Sequence, residues 1–205
     1  MFVKICGLTR AVDVEAALAA GADAIGLNFW PGSKRHVGPE AAAPLAALAR
    51  GRARVVGVFV NADAAEINAT VETVGLEVVQ LHGDESPALA AQLTRPLWRA
   101  VRVASPASLD EIEAWPGAEA FLLDSASAGY GGSGQSFDWT LARSVATRVR
   151  VLVAGGLGPD NVAAAVRAAR PWGVDVAGGV ESAPGIKDQA LMARFIQAAR
   201  AEDFS

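Results

Sequence analysis

Residues with chemically useful side chains recur at one kind of place in this chain, just after a short β-branched run: Cys6, Asn28, His82 and Asp124. A thiol, an imidazole and a carboxyl group are groups that exchange protons with carbon and oxygen, so gathered together they could do general acid-base chemistry. Two further runs end in paired glycines, Val151-Leu152-Val153-Ala154-Gly155-Gly156-Leu157 and Val174-Asp175-Val176-Ala177-Gly178-Gly179-Val180. Glycine lets a ligand approach the backbone, and a helix starting a few residues later would present free N–H groups and the positive end of its dipole. A small anion, most simply a phosphate, is expected there. Arg35, in the loop Trp30 to His36, offers a guanidinium. Each residue also has a plainer reading: Cys6 as a small buried hydrophobe, Asp124 as a loop cap, His82 as structural, Arg35 as a solvated charge, and Gly129 to Gly134 as a flexible lid. A shared location is what would favour chemistry.

The elements that must position them can be read from the spacing. Between the two repeats, Pro159 to Ala169 carries Val162 and Val166 at helical spacing, giving strand, helix, strand. Strands joined this way are parallel, so both double glycines emerge at the carboxyl edge of one sheet. Further strands are expected at Val3 to Cys6, Ala24 to Asn28, Val55 to Val60, Val78 to Leu81, Leu97 to Val101 and Ala120 to Leu123. Helices are expected after Thr9 and Asn61 as caps, from Pro39 with Pro44 as an internal conflict, and after Ser86-Pro87 and Ser105-Pro106. Others start near Asp138 and Lys187. Eight strands alternating with eight helices predict a single-domain (β/α)8 TIM barrel over residues 1–205, with its active site at the carboxyl ends of the strands. Because strand residues alternate faces, Lys4 shares the Cys6 side and needs a buried partner.

Composition bounds the function. The 205 residues are 52% apolar and 20% charged, with a net charge of −4, which disfavours a nucleic-acid footprint. No apolar run approaches the ~20 residues of a membrane span, and the amino terminus starts a strand where a signal peptide would need a longer apolar stretch, so a cytoplasmic location is expected. The single cysteine excludes an internal disulfide, and two histidines and one cysteine make no metal-ligand spacing. With no net attraction for an anion, local dipoles and an arginine or two must hold it.

Several motifs occur together and in order: Lys4-Ile5-Cys6-Gly7-Leu8-Thr9, Ser33-Lys34-Arg35, Gln80-Leu81-His82-Gly83, Leu122-Leu123-Asp124, Tyr130-Gly131-Gly132-Ser133-Gly134, Ala154-Gly155-Gly156-Leu157 and Val174-Asp175-Val176 to Gly179-Val180-Glu181. In these the chain resembles the phosphoribosylanthranilate isomerases of tryptophan biosynthesis over almost its whole length. The resemblance implies a (β/α)8 barrel without metal or organic cofactor. It also implies an Amadori rearrangement of N-(5-phosphoribosyl)anthranilate to 1-(2-carboxyphenylamino)-1-deoxyribulose 5-phosphate. Asp124 would be the general acid and Cys6 the general base. Arg35 would face the anthranilate carboxylate, His82 and Asp175 would lie against the substrate, and Gly132, Gly134, Gly155, Gly156, Gly178 and Gly179 would hold its phosphate; since the family position of Asp175 lies near the site, Asp175 is also the first choice of partner for Lys4. An aspartate acting as an acid near neutrality needs its pKa raised from ~3.9, and a thiol acting as a base needs help from ~8.5 toward thiolate. Part of that help is expected from the iminium intermediate, whose positive charge adjoins the carbon being deprotonated.

The chain departs from the family pattern where serines are usual, at Ala154, Ala177 and Gly178. Weaker or differently tuned phosphate binding with retained chemistry is expected. Two other readings compete. The sister aminoaldose-phosphate isomerase of histidine biosynthesis uses an aspartate where this chain has Cys6 and carries two phosphate motifs. A non-catalytic phosphate-binding barrel would not need both Cys6 and Asp124. Monomer and homodimer both remain open.

Overall fold

A computed structural model describes residues 1–125 and 137–202. Eight parallel strands close into a barrel in chain order: β1 Phe2–Cys6, β2 Ala24–Asn28, β3 Arg54–Phe59, β4 Val78–Leu81, β5 Leu97–Val103, β6 Ala120–Ser125, β7 Val151–Val153 and β8 Gly173–Val176. Closure pairs β1 with β8 and sets Lys4 opposite Asp175. The architecture is the expected (β/α)8 barrel.

Alternation along the strands separates two apolar layers. Val3, Ile5, Ile25, Leu27, Val79, Leu81, Leu123 and Val153 point outward into the main core shared with the helices. Ala24, Val56, Val78, Trp98, Ala100, Leu122 and Leu152 point inward and fill the barrel. At the amino-terminal mouth Phe2 stacks on Trp172 with centroids 4.2 Å apart, and Trp98 meets both rings edge-on. Near the carboxyl ends the inward residues turn polar.

The helices on the outside are α1 Ala11–Ala19, α2 Pro39–Ala49, α3 Ala64–Val74, α4 Thr140–Ala146, α5 Val162–Ala169 and α6 Gln189–Ala201. In α3 the apolar spacing buries Ile67, Val71 and Val74, Asp63 accepts from the Glu66 N–H, and Gly75 ends the helix at φ 75°. Pro44 does not break α2, which runs through it. Pro44 simply has no N–H for the bond back to Glu40.

Several sequence expectations are corrected. Thr9 is not a cap, since its hydroxyl donates to the Gly185 carbonyl and α1 starts after Arg10. Asp63 caps α3, while Asn61, at φ 55°, accepts from the Asp84 N–H through its side chain. The segments after β4 and β5 are 3-10 helices, Pro87–Gln92 and Pro106–Ala114. Lys187 does not open the last helix. It lies in a hairpin, β9 Glu181–Ala183 with β10 Ile186–Lys187, inserted between β8 and α6, and Asp188 caps α6. Among the described residues no helix is long and apolar enough to cross a membrane.

Candidate active site

A cavity of about 640 Å³ opens at the carboxyl ends of the strands, and Cys6, Arg35, His82, Asp124, Asp175, Gly155, Gly156, Gly178 and Gly179 all line it. Residues far apart in sequence therefore share one rim. Gly132 and Gly134 lie outside the described residues.

Cys6 ends β1 with its side chain turned inward over Gly26, where a Cβ would stand 2.7 Å from the sulfur. Lys4, two residues earlier on the same face, is fully buried and donates to Asp175 Oδ1 at 2.9 Å, the partner expected from the resemblance. Burial pushes the Cys6 thiol up, and the Lys4 ammonium opposes this without overcoming it. Burial pulls Lys4 down, yet the charges of Asp175 and of Cys6 as thiolate hold it above the ordinary lysine value. The thiol is thus not prepared as a thiolate in advance.

Asp124 stands on β6 opposite β7, almost wholly buried. His82 Nε2 is 3.2 Å from its Oδ2, close in distance but without the alignment of a full hydrogen bond. Gly155, at φ 76°, makes room for this carboxyl group, because a Cβ there would come within 2.5 Å of Asp124 Oδ1. The first glycine pair therefore serves a protein side chain as well as any ligand. Its N–H groups make no hydrogen bond within the described residues. Asn161 holds the turn from the other side, donating to the Gly156 carbonyl and accepting from the Gly158 N–H.

Gly178 and Gly179 open a 3-10 turn, Gly178–Val180, whose first N–H groups have no partner within the turn. A Cβ on Gly179 would overlap the Leu157 carbonyl, so the two glycine turns pack backbone to backbone. The hairpin, and not a helix, follows this second turn directly.

Arg35 is not a bare side chain. Its Nε and Nη2 donate to the two oxygens of Glu181 at 2.7 Å each, and its stem crosses Gly7, whose φ of 73° and missing Cβ leave the space. Lys187, buried, donates to Glu181 Oε1 at 2.8 Å and to the Ala177 carbonyl at 2.9 Å. Burial pushes Glu181 up, but the bonds from Arg35 and Lys187 outweigh it and hold the carboxylate below its usual value. Arg35 rises through the same bond, while burial leaves Lys187 below the ordinary lysine range against the pull of Glu181. The cluster carries one net positive charge beside the cavity.

Sequence reading missed Glu181 and Lys187 as parts of the site. Lys187 reads locally as a helix start, and nothing in its neighbourhood signals a partner on another loop. It also missed Gln80, for which a signal exists: in Val78-Val79-Gln80-Leu81-His82 the polar residues alternate, which sets Gln80 and His82 on the inward face. The turn carrying His82 is locked from outside. Glu85 accepts from the Gly83 and Asn61 N–H groups, and Arg99, over the Trp115 ring, bridges Glu85, Glu111 and the Gly83 carbonyl.

Residues 3–198 match the family model described as N-(5'-phosphoribosyl)anthranilate (PRA) isomerase. An N-(5'-phosphoribosyl)anthranilate isomerase of Myxococcus xanthus is 50% identical over 202 residues, covering 97% of this chain and 95% of its own. The crystal structure of phosphoribosyl anthranilate isomerase from Thermotoga maritima superposes with a TM-score of 0.92 at 37% identity, over 98% of this chain and 99% of that one. A phosphoribosyl anthranilate isomerase solved in complex with reduced 1-(o-carboxyphenylamino)-1-deoxyribulose 5-phosphate gives a TM-score of 0.89 at 34% identity, with the same coverage.

Proposed function

The chain belongs to the N-(5'-phosphoribosyl)anthranilate isomerase family, and from that premise we propose how its own residues carry out the isomerisation in tryptophan biosynthesis. The observation that supports the assignment is that Cys6 and Asp124 line one cavity, together with two glycine turns with unused N–H groups.

The substrate phosphate is held by the N–H groups of Gly155, Gly156, Gly178 and Gly179. With Ala154, Ala177 and Gly178 in the chain, backbone dipoles do work that side-chain hydroxyls would otherwise share. Arg35, with two of its five N–H groups given to Glu181, offers the remainder to the anthranilate carboxylate, and the net positive cluster behind it favours the anion. Asp124 as the neutral acid gives its proton to the furanose ring oxygen. The lone pair of the anthranilate nitrogen forms the C1=N bond as the C1–O bond breaks, leaving an iminium and a free hydroxyl. Cys6, as the thiolate formed when its own proton passes to solvent, then takes the proton from C2; the C2–H pair forms C1=C2 as the C1=N pair returns to nitrogen, giving the enolamine N–C1=C2–OH, which tautomerises to the ketone. Lys4 favours the thiolate by its charge, and the iminium lowers the acidity barrier at C2 when the proton is removed.

The test is the loss of substrate fluorescence with the parent, Cys6→Ala and Asp124→Asn proteins. General acid-base groups contribute about 10²- to 10⁴-fold, so each variant should lose that much of kcat while remaining folded. Turnover surviving Cys6→Ala would overturn the base, and turnover surviving Asp124→Asn would overturn the acid.

A further inference from the structure

We infer that Gln80 is a positioning residue for the acid step, fixing His82 as a hydrogen-bond donor that catches the charge Asp124 acquires when it delivers its proton. The inference rests on the reading of Asp124 as the acid. Gln80, 1% exposed, projects inward from β4, and its Nε2 lies 3.2 Å from His82 Nδ1. An amide nitrogen can only donate, so Nδ1 must accept. A neutral imidazole carries one N–H, which is then on Nε2. That nitrogen is the one 3.2 Å from Asp124 Oδ2. Turning the Gln80 amide round would place the proton on Nδ1 and set the Nε2 lone pair against Asp124, opposing two acceptors as soon as the carboxylate forms.

The misaligned His82 contact has a use in this scheme. Against the neutral acid it is weak, and it tightens as negative charge develops on the carboxylate, so it favours the transition state over the resting state. The proton balance is simple: it leaves Asp124 for the ring oxygen, and His82 keeps its own. Gln80 touches neither and acts through the imidazole. Among the described residues His82 Nε2, Gln80 Oε1 and Asp124 Oδ1 have no other protein hydrogen-bond partner, so no other side chain competes for the arrangement.

Only two histidines are present, His36 and His82, so protein labelled with 15N-histidine gives two imidazole spin systems, and His36→Asn leaves one. The expected result is His82 as the neutral Nε2–H tautomer in the free enzyme. Gln80→Met, of similar length but without a donor, should release that tautomer and lower kcat about tenfold with KM changed less than about twofold. Gln80→Glu, an acceptor against Nδ1, should move a proton onto Nδ1. His82 found as the Nδ1–H tautomer in the parent, or an unchanged tautomer with unchanged kcat in Gln80→Met, would overturn the proposal. The parent spectrum decides even if a variant does not fold. An active Asp124→Asn together with an Nε2–H tautomer would reject the acid assignment, and with it the part His82 and Gln80 play in the acid step, while the tautomer itself would stand.

Discussion

At the amino-terminal mouth of the barrel, Phe2, Trp98 and Trp172 pack ring on ring, Arg54 and Arg150 lie over Trp98 and Trp172, and both arginines bond Glu119. At the carboxyl-terminal mouth, Gln80, His82 and Asp124 keep buried polar atoms unsatisfied, and the glycine turns leave N–H groups unused. The same eight strands thus begin in a filled floor and end in a rim with open bonding capacity. The rim groups line the cavity, where a ligand can meet them, while the apolar layers below and outside supply the stability. The difference teaches that stability and chemistry have been separated along the barrel axis, and it can be attacked from both ends.

The largest effect is expected at the floor. Trp98→Ala removes a fully buried side chain and should cost about 3–5 kcal/mol in denaturant unfolding, while the surviving folded molecules keep kcat/KM within a few-fold. A comparable loss of specific activity in the folded fraction would break the separation. Next comes the rim. Gly155→Ala drives a Cβ toward Asp124 at a positive φ and should lower kcat about a hundredfold, at a stability cost of about 1–3 kcal/mol. Gly51→Ala is the matched control, with φ 74° and open space around it, and should show the stability cost without the loss of turnover. Equal turnover in the two variants would show that Asp124 tolerates displacement.

A third experiment titrates the rim. Because Cys6 is the single cysteine, thiolate absorbance of the free enzyme reports on it alone. Burial raises its pKa, so the midpoint should lie above the ordinary ~8.5. A midpoint well below 8 would mean that the rim activates the thiol before substrate arrives. The smallest effect is expected from Glu119→Gln at the floor. Bonding to Arg54 lowers the Glu119 pKa, so its contribution is present above the unfolded value of ~4.3 and is lost as pH falls through the lower folded value. The variant should be less stable than the parent by no more than about 1 kcal/mol at pH 7, and the Tm gap should close below about pH 4. A gap that persists at pH 3 would assign the effect to packing instead of charge.

The amino-acid sequence by itself determined the barrel and the membership of its rim. Eight β-branched runs alternating with helical spacing leave few other folds, and Cys6, His82, Asp124 and the glycine pairs are legible because each sits at the carboxyl end of such a run. Lys4 could be set on the inward face in advance because period-2 alternation is a local rule, and the resemblance pointed to Asp175, but it is closure of β1 on β8 that brings the two together. What the tertiary structure alone decided are the contacts that depend on closing the ring. Arg35 and Glu181 are 146 residues apart, and β1 pairing with β8 brings their loops together over Gly7. The role of Gly155 in clearing Asp124 is equally invisible from the glycine itself, since it depends on the neighbouring strand. Local spacing also did not separate the 3-10 helices after β4 and β5 from α-helices, because a Ser-Pro start and apolar residues three or four apart suit both. Periodicity acts over a few residues and is written in the chain, whereas which side chains meet across the rim is a property of register and closure.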